Sequence, residues 1–209
     1  MKFEDLYRAV ASYTMLDAER IQSLWTLVND INIRKIGGDI VECGCSKGGS
    51  SAVLRAGMGS QRKLWIYDSF EGMPETSAQD GDEARKWVGR CGGSIDDVLT
   101  ILEVTGAVRE EVVIRKGWFK DTFTQELPEK VALLHCDADW YESVTLVLQT
   151  FYPLMPEGAC LILDDFGYWE GCRLAFYDFC GKHGERPLLE RVGTTQAYWI
   201  KGKEHNRNG

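Results

Sequence analysis

The chain has 209 residues and carries 24 Lys and Arg against 32 Asp and Glu, a net charge of −8. That length suits one domain, 1–209, and 44% hydrophobic with 27% charged residues is ordinary for a folded globular protein. Acidity without a Lys/Arg block excludes a nucleic-acid footprint, no apolar run approaches the roughly 18–20 residues of a membrane span, and MKFEDLYRAV lacks the basic and apolar parts of a secretory signal, so a cytoplasmic location is expected.

From Leu16 to Ile31, the apolar residues Ile21, Leu24, Val28 and Ile31 recur at helical spacing, Trp25 widens their face and Asp17 can cap the start. Residues 1–36 therefore read as an N-terminal helical segment capping the site. Asp39–Gly44 reads as a first strand, running into the glycine-rich turn Cys45–Ser51 and a helix through about Gly57. Glycines let a ligand approach the backbone there, and the N–H groups at the helix start favour an anionic group. The spacing is G-x-x-x-G-G, not the G-x-G-x-x-G of a dinucleotide fingerprint. Lys63–Asp68 is the second strand, and an acid at its end is placed to accept hydrogen bonds from the ribose hydroxyls of an adenosine ligand.

Residues 70–93 break periodicity and are rich in Gly, Asp and Glu, which predicts a lid loop. Ser94 begins a capping box, followed by an amphipathic helix with Ile95, Val98, Leu99 and Leu102 on one face. Val112–Lys116 is a third strand. After it, Gly117, Trp118 and Phe119 can either wall an adenine ring or belong to the core.

Val131–Trp140 (VALLHCDADW) and Ala159–Phe166 (ACLILDDF) are unbroken apolar runs that end in paired aspartates, the pattern of strands buried on both faces of a parallel sheet. If the two strands are neighbours, Asp137, Asp139, Asp164 and Asp165 converge, and a divalent cation is the simplest relief of their repulsion. His135, inside an apolar run, reads as a hydrogen-bonded core residue. Glu142–Tyr152 and Gly171–Cys180 are further helices, Leu188–Arg191 and Ala197–Lys201 form a closing antiparallel pair, and a polar tail follows from Lys203. The seven cysteines, several inside these elements, read as reduced structural thiols, and the Cys43-x-Cys45 pair has no partner pair at zinc-ligand spacing.

The runs YTMLDAERIQSLW, VECGCSKGGSS, YDSFEGMP, KGWFKDTF, DADWYES and DDFGYWEGCR, in this order between Tyr13 and Ile200, resemble the macrocin O-methyltransferase (TylF-type) family. The resemblance implies an α/β, class I, Rossmann-like methyltransferase fold: a mostly parallel seven-stranded sheet with helices on both faces and a C-terminal antiparallel hairpin. It also implies S-adenosyl-L-methionine and Mg²⁺ or another divalent cation, an acceptor hydroxyl on the sugar of a glycosylated natural product, and a homo-oligomer. By position, Asp137, Asp164 and Asp165 are then metal ligands and Asp139 the general base. Glu42, Gly44, Ser46, Gly48 and Ser50 would surround the methionine end of the cofactor, Asp68 the ribose, and Ser69, Gly117 and Trp118 the adenosine.

Three other readings stand beside this one. A catechol or phenol acceptor would suit flat walls from Tyr168 and Trp169. A nicotinamide-dependent dehydrogenase would use the same βαβ unit and Asp68, against the glycine spacing and the aspartates. A silent binding protein would carry the electrostatic cost of four clustered aspartates without a metal.

Overall fold

The structure, a computed structural model, describes residues 2–106 and 109–205. Among these, seven strands form one sheet in the order β3-β2-β1-β4-β5-β7-β6. Strands β1 (Asp39–Cys43), β2 (Leu64–Asp68), β3 (Val112–Lys116), β4 (Val131–Cys136) and β5 (Cys160–Leu163) are parallel, whereas β6 (Glu190–Val192) and β7 (Gln196–Ile200) add an antiparallel edge. The chain moves outward from β1 to β2 and β3, then returns to place β4 on the other side of β1. This reversal opens a crevice at the strands' carboxyl ends, where ligands of open α/β sheets bind.

Strand alternation divides the core into two layers. Val41, Cys43, Leu134, Cys136, Leu161 and Leu163 face helices α7 (Tyr141–Phe151) and α8 (Glu170–His183). Ile40, Leu133, Cys160 and Ile162 face α1 (Phe3–Val10), α2 (Ala18–Ile33), α3 (Gly49–Gly57) and α5 (Ile95–Val104). Helix α2 buries Ile21, Leu24, Val28 and Ile31 as its spacing predicts; Leu27 joins them, and Asp17 caps its start by accepting from Arg20 N–H. Helix α1 buries Leu6 and Val10 on the same side. Ser94 caps α5 by accepting from the Asp97 N–H.

Element ends shift from the sequence reading where local bonding decides them. The apolar run of β4 leaves the ladder at Cys136 and that of β5 at Leu163, so the aspartates lie on loops just beyond the strand tips. Helix α8 runs past Cys180 to His183, closing on Gly184 in the left-handed conformation. The closing hairpin is displaced to Glu190–Val192 and Gln196–Ile200 because Glu190 pairs with Tyr198 and Val192 with Gln196 around Gly193–Thr195. The outer tail, Asn206–Gly209, lies outside the described residues.

Residues 70–93, read as an irregular loop, contain helix α4 (Gly81–Ala84) and a short 3₁₀ turn, Arg85–Trp87. The segment is strapped down at several points. Met73 N–H donates to Arg90 O and Gly89 N–H to Met73 O, both at 2.9 Å. The Trp140 indole donates to Pro74 O at 3.0 Å, and buried Asp80 receives the Tyr141 N–H at 2.6 Å. An anion at the start of α7 also suits the helix dipole.

Gly44, after β1, has φ +88°, and a Cβ there would lie 1.9 Å from the Asp137 carbonyl oxygen. Gly59 has a similar φ of +78° but open space around it. Gly44→Ala is therefore expected to destabilise the protein by about 3–5 kcal/mol through clash and backbone strain together. Gly59→Ala, with the strain alone, should cost about 1–2 kcal/mol. Urea unfolding of the two variants compares them, and equal losses would show that the approach of β1 to the β4 tip is not what requires glycine.

Candidate active site

A cavity of about 710 Å³ opens at the carboxyl edge of β1, β2, β4 and β5. Ten of the expected site residues line it: Gly44, Ser46, Asp68, Ser69, Gly117 and Trp118 in one half, and Asp137, Asp139, Asp164 and Asp165 in the other. Glu42, Gly48 and Ser50 are not among its lining residues. Glu42 alternates with Val41 and Cys43, so its side chain turns into the α3 layer, fully buried, where it accepts from the Ser51 hydroxyl and meets His135 Nδ1 at 2.9 Å.

The glycine turn is organised by Asp68. Its Oδ2 accepts from the N–H groups of Cys45 and Ser46 at 2.8 and 2.9 Å, and its Oδ1 from Phe70 N–H at 2.7 Å. A carboxylate offers about four acceptor positions, so Asp68 retains capacity for a ligand hydroxyl beside these bonds. Two of the N–H groups expected to greet an anion are already taken by the chain itself. Gly48 N–H donates to Cys45 O, and Gly49 N–H, at the start of α3, donates to Tyr13 O at 3.0 Å. Residues 13–14 lie so close that a Cβ on Gly49 would meet both.

The acidic half follows from the pairing of β4 with β5. Asp137 N–H bonds Cys43 O at 2.9 Å and Asp164 N–H bonds Cys136 O at 3.1 Å, so both chains leave the sheet side by side. One carboxylate oxygen from each of Asp137, Asp164 and Asp165 lies within 4.8 Å of the others. Asp139 is not in this group. Its backbone turns away at φ +56°, and its Oδ1 accepts the Trp169 indole N–H at 2.9 Å.

Asp164 is almost fully buried and held from three directions. Arg20 Nη1 reaches its Oδ2 at 2.5 Å from α2, Gln196 Nε2 reaches its Oδ1 at 2.9 Å from β7, and His135 Nε2 stands 3.9 Å from the same oxygen. Burial alone would raise its pKa, but His135, Arg20 and Gln196 hold it below the usual carboxylate range. His135, although burial opposes its charge, is raised to about 9 by Asp164 and Glu42. It is the core histidine expected, and it also links the α3 layer to the acidic cluster.

The other three aspartates have less support. Burial, followed by repulsion from Asp164, pushes Asp165 up to about 7 and Asp137 well above the ordinary value. Burial followed by Asp165 does the same to Asp139. Asp165 Oδ2 is buried without a hydrogen-bond partner. Three carboxylates within coordinating reach, no soft donor among them and an orphaned oxygen on Asp165 together fit a hard divalent cation.

Sequence reasoning missed Arg20, Gln196 and Trp169. Arg20 is separated from Asp164 by 144 residues and Gln196 by 32, so no local spacing marks either contact. Trp169 lies inside a motif that was noted, but only as a flat wall.

Comparison with known proteins adds a family to this geometry. The family model for macrocin O-methyltransferase (TylF) matches residues 4–201. A Streptomyces olivaceus relative, 8-demethyl-8-(2,3-dimethoxy-alpha-L-rhamnosyl)-tetracenomycin-C 4'-O-methyltransferase, is 32% identical over 90% of this chain and 75% of its own. Mycinamicin III 3''-O-methyltransferase of Micromonospora griseorubida is 28% identical over 92% of this chain and 80% of its own. The solved O-methyltransferase NovP superposes with a TM-score of 0.80 at 26% identity, over 91% of this chain and 83% of that one. With the seven-stranded sheet, its antiparallel edge and a family match spanning nearly the whole chain, the protein belongs to the macrocin O-methyltransferase family.

Proposed function

We propose that this protein transfers a methyl group from S-adenosyl-L-methionine to a sugar hydroxyl of a glycosylated small molecule, with a divalent cation, Mg²⁺ by its oxygen donors, held by Asp137, Asp164 and Asp165. The observation that carries the proposal is the meeting in one cavity of an adenosine-type half, built on Gly44 and Asp68, and an acidic half with three carboxylate oxygens within 4.8 Å. The name of the Streptomyces olivaceus relative, a 4'-O-methyltransferase of a rhamnosyl-tetracenomycin, supports the choice of a sugar hydroxyl. Residues 1–36 serve as the cap of this single methyltransferase unit and residues 70–93 as its lid. No described helix is long and apolar enough to cross a membrane, and the reading includes a cytoplasmic enzyme that assembles with its own copies.

S-adenosyl-L-methionine would supply an electrophilic methyl group, and a cation held by Asp137, Asp164 and Asp165 would make a neighbouring hydroxyl more acidic. The chain supplies placement and proton removal. Asp68 binds the ribose through its remaining acceptor position, and Gly117 with Trp118 walls the adenosine. Gly44 and Ser46 flank the methionine end, where the main chain leaves β1. Asp139, outside the metal triad but beside it, accepts the hydroxyl proton as the oxygen attacks. Burial and the neighbouring Asp165 raise its pKa, and a raised pKa favours keeping a proton once it is taken. Holding two substrates in line accounts for a large share of such catalysis.

A phenolic acceptor is the second reading, favoured by Tyr168, 56% exposed, stacked edge to face on Trp169 at 4.6 Å beside the cavity. Labelled methyl donor tested against glycosides and catechols decides between the acceptors: transfer only to catechols would overturn the sugar assignment.

Asp139→Asn is expected to lower turnover by about 10²–10⁴-fold while S-adenosylhomocysteine and Mg²⁺ affinities, measured by calorimetry, stay within about twofold. Asp164→Ala is expected to weaken Mg²⁺ at least about tenfold in the same measurement. Equal loss of metal in both variants would sink the division of roles. Chelation should abolish turnover and added Mg²⁺ restore it; full activity in excess chelator would remove the cation from the reaction. NADH serves as the control ligand, and saturable binding of NADH but not of S-adenosylhomocysteine would favour a dehydrogenase instead.

A further inference from the structure

Asp139 is held in a strained backbone. Its φ is +56°, and Trp140 N–H closes back on Ala138 O at 2.6 Å, the three-residue γ-turn of positive φ that is rare for a residue with a side chain. Such strain persists only where the surroundings over-determine it, and it clusters at functional sites.

The surroundings here are aromatic. Trp169, at the start of α8, is 7% exposed, lines the cavity and donates its Nε1–H to Asp139 Oδ1 at 2.9 Å. The Trp169 ring is wedged edge to face by Trp140 at 4.9 Å, Tyr168 at 4.6 Å and Trp87 at 6.0 Å. Trp140 is itself fixed by its indole bond to Pro74 O. Trp87 and Pro74 belong to the 70–93 segment, so the docking of that segment and the placement of Trp169 share one ring cluster.

An indole nitrogen can only donate. It therefore meets Asp139 as an acceptor and opposes protonation at Oδ1, leaving the second oxygen to take a proton. A carboxylate with one oxygen fixed also has its terminal torsion fixed, and the second oxygen then has a single direction.

We propose that Trp169 is the positioning residue for Asp139: its indole N–H holds one carboxylate oxygen so that the other faces the acceptor hydroxyl, and the Trp87–Trp169–Trp140 cluster ties that orientation to the docked 70–93 segment. The inference rests on Asp139 as the general base.

Trp169→Phe keeps an apolar ring and removes the N–H. It is expected to lower kcat by about 10–100-fold, the scale of a small misplacement of a reacting group, with the acceptor KM and the S-adenosylhomocysteine affinity within about twofold. In an Asp139→Asn background, where residual turnover is followed with labelled methyl donor, the same substitution should add less than about twofold, because the two residues act as one unit. Unchanged kcat in Trp169→Phe, or the same loss in both backgrounds, would overturn the proposal. If Trp169→Phe does not fold, the Trp169 indole ¹H–¹⁵N resonance of the wild-type enzyme, assigned through its own ring, gives a second readout. It should move in Asp139→Asn, and a resonance that stays put would overturn the contact. Full turnover by Asp139→Asn would remove the base assignment itself, whereas the resonance would still report whether the contact exists.

Discussion

The mutual repulsion of four aspartates at the tips of two adjacent strands is the constraint on which the rest of the structure depends. The pairing of β4 with both β1 and β5 makes the repulsion unavoidable, since Asp137 N–H bonds Cys43 O of β1 and Asp164 N–H bonds Cys136 O of β4, which brings the two side chains out together. Like charges this close, partly withdrawn from water, can coexist only with counter-charge or shared protons. The fold supplies part of the counter-charge from distant chain: Arg20 from α2, and His135 bridging Glu42 and Asp164. Both converge on Asp164. The remaining charge on Asp137 and Asp165 is what a divalent cation would balance, and Asp165 Oδ2 is buried with no hydrogen-bond partner.

The N-terminal segment is consequently part of the site as well as a cover for the sheet. Between Tyr13, whose carbonyl receives Gly49 N–H at the glycine turn, and Arg20, which reaches Asp164, eight residues of chain span both halves of the cavity. Met15 O accepts from Arg20 Nη2 at 3.0 Å, tying this loop to the acidic half. On the opposite side, the 70–93 segment is tied to the same region through Asp80 and Trp140. The aspartates at the strand tips thus lie on loops, while Arg20, His135 and Gln196, which face Asp164, lie on α2, β4 and β7.

Much of the fold was legible because it is written in local patterns. Apolar runs of strand length, helical spacing in α2 and α5, and two capping residues, Asp17 and Ser94, each answer to a physical rule that acts within a few residues. The aspartate cluster was legible for the same reason: two runs with the same ending imply two strand tips. What escaped was whatever depended on which face a helix covers. Strand alternation says that Glu42 opposes Val41 and Cys43, but not that α3 lies on Glu42's side, so Glu42 read as a cofactor contact although it is buried against Ser51 and His135. Asp139 read as one of four aspartates converging at two strand tips. The backbone instead leaves the ladder after Cys136 and turns through a γ-turn, which separates Asp137 and Asp139 into different surroundings.

The central claim is that Asp137, Asp164 and Asp165 hold a cation beside the adenosine half of the same cavity. Anomalous diffraction from crystals grown with S-adenosylhomocysteine and Mn²⁺, an ion of similar oxygen preference, tests it most directly. The account predicts one strong anomalous peak within about 2.5 Å of an oxygen from each of the three aspartates, with the ligand's ribose on Asp68. Ligand density at Asp68 with no metal peak at the aspartates, or a peak held by other residues, would contradict it.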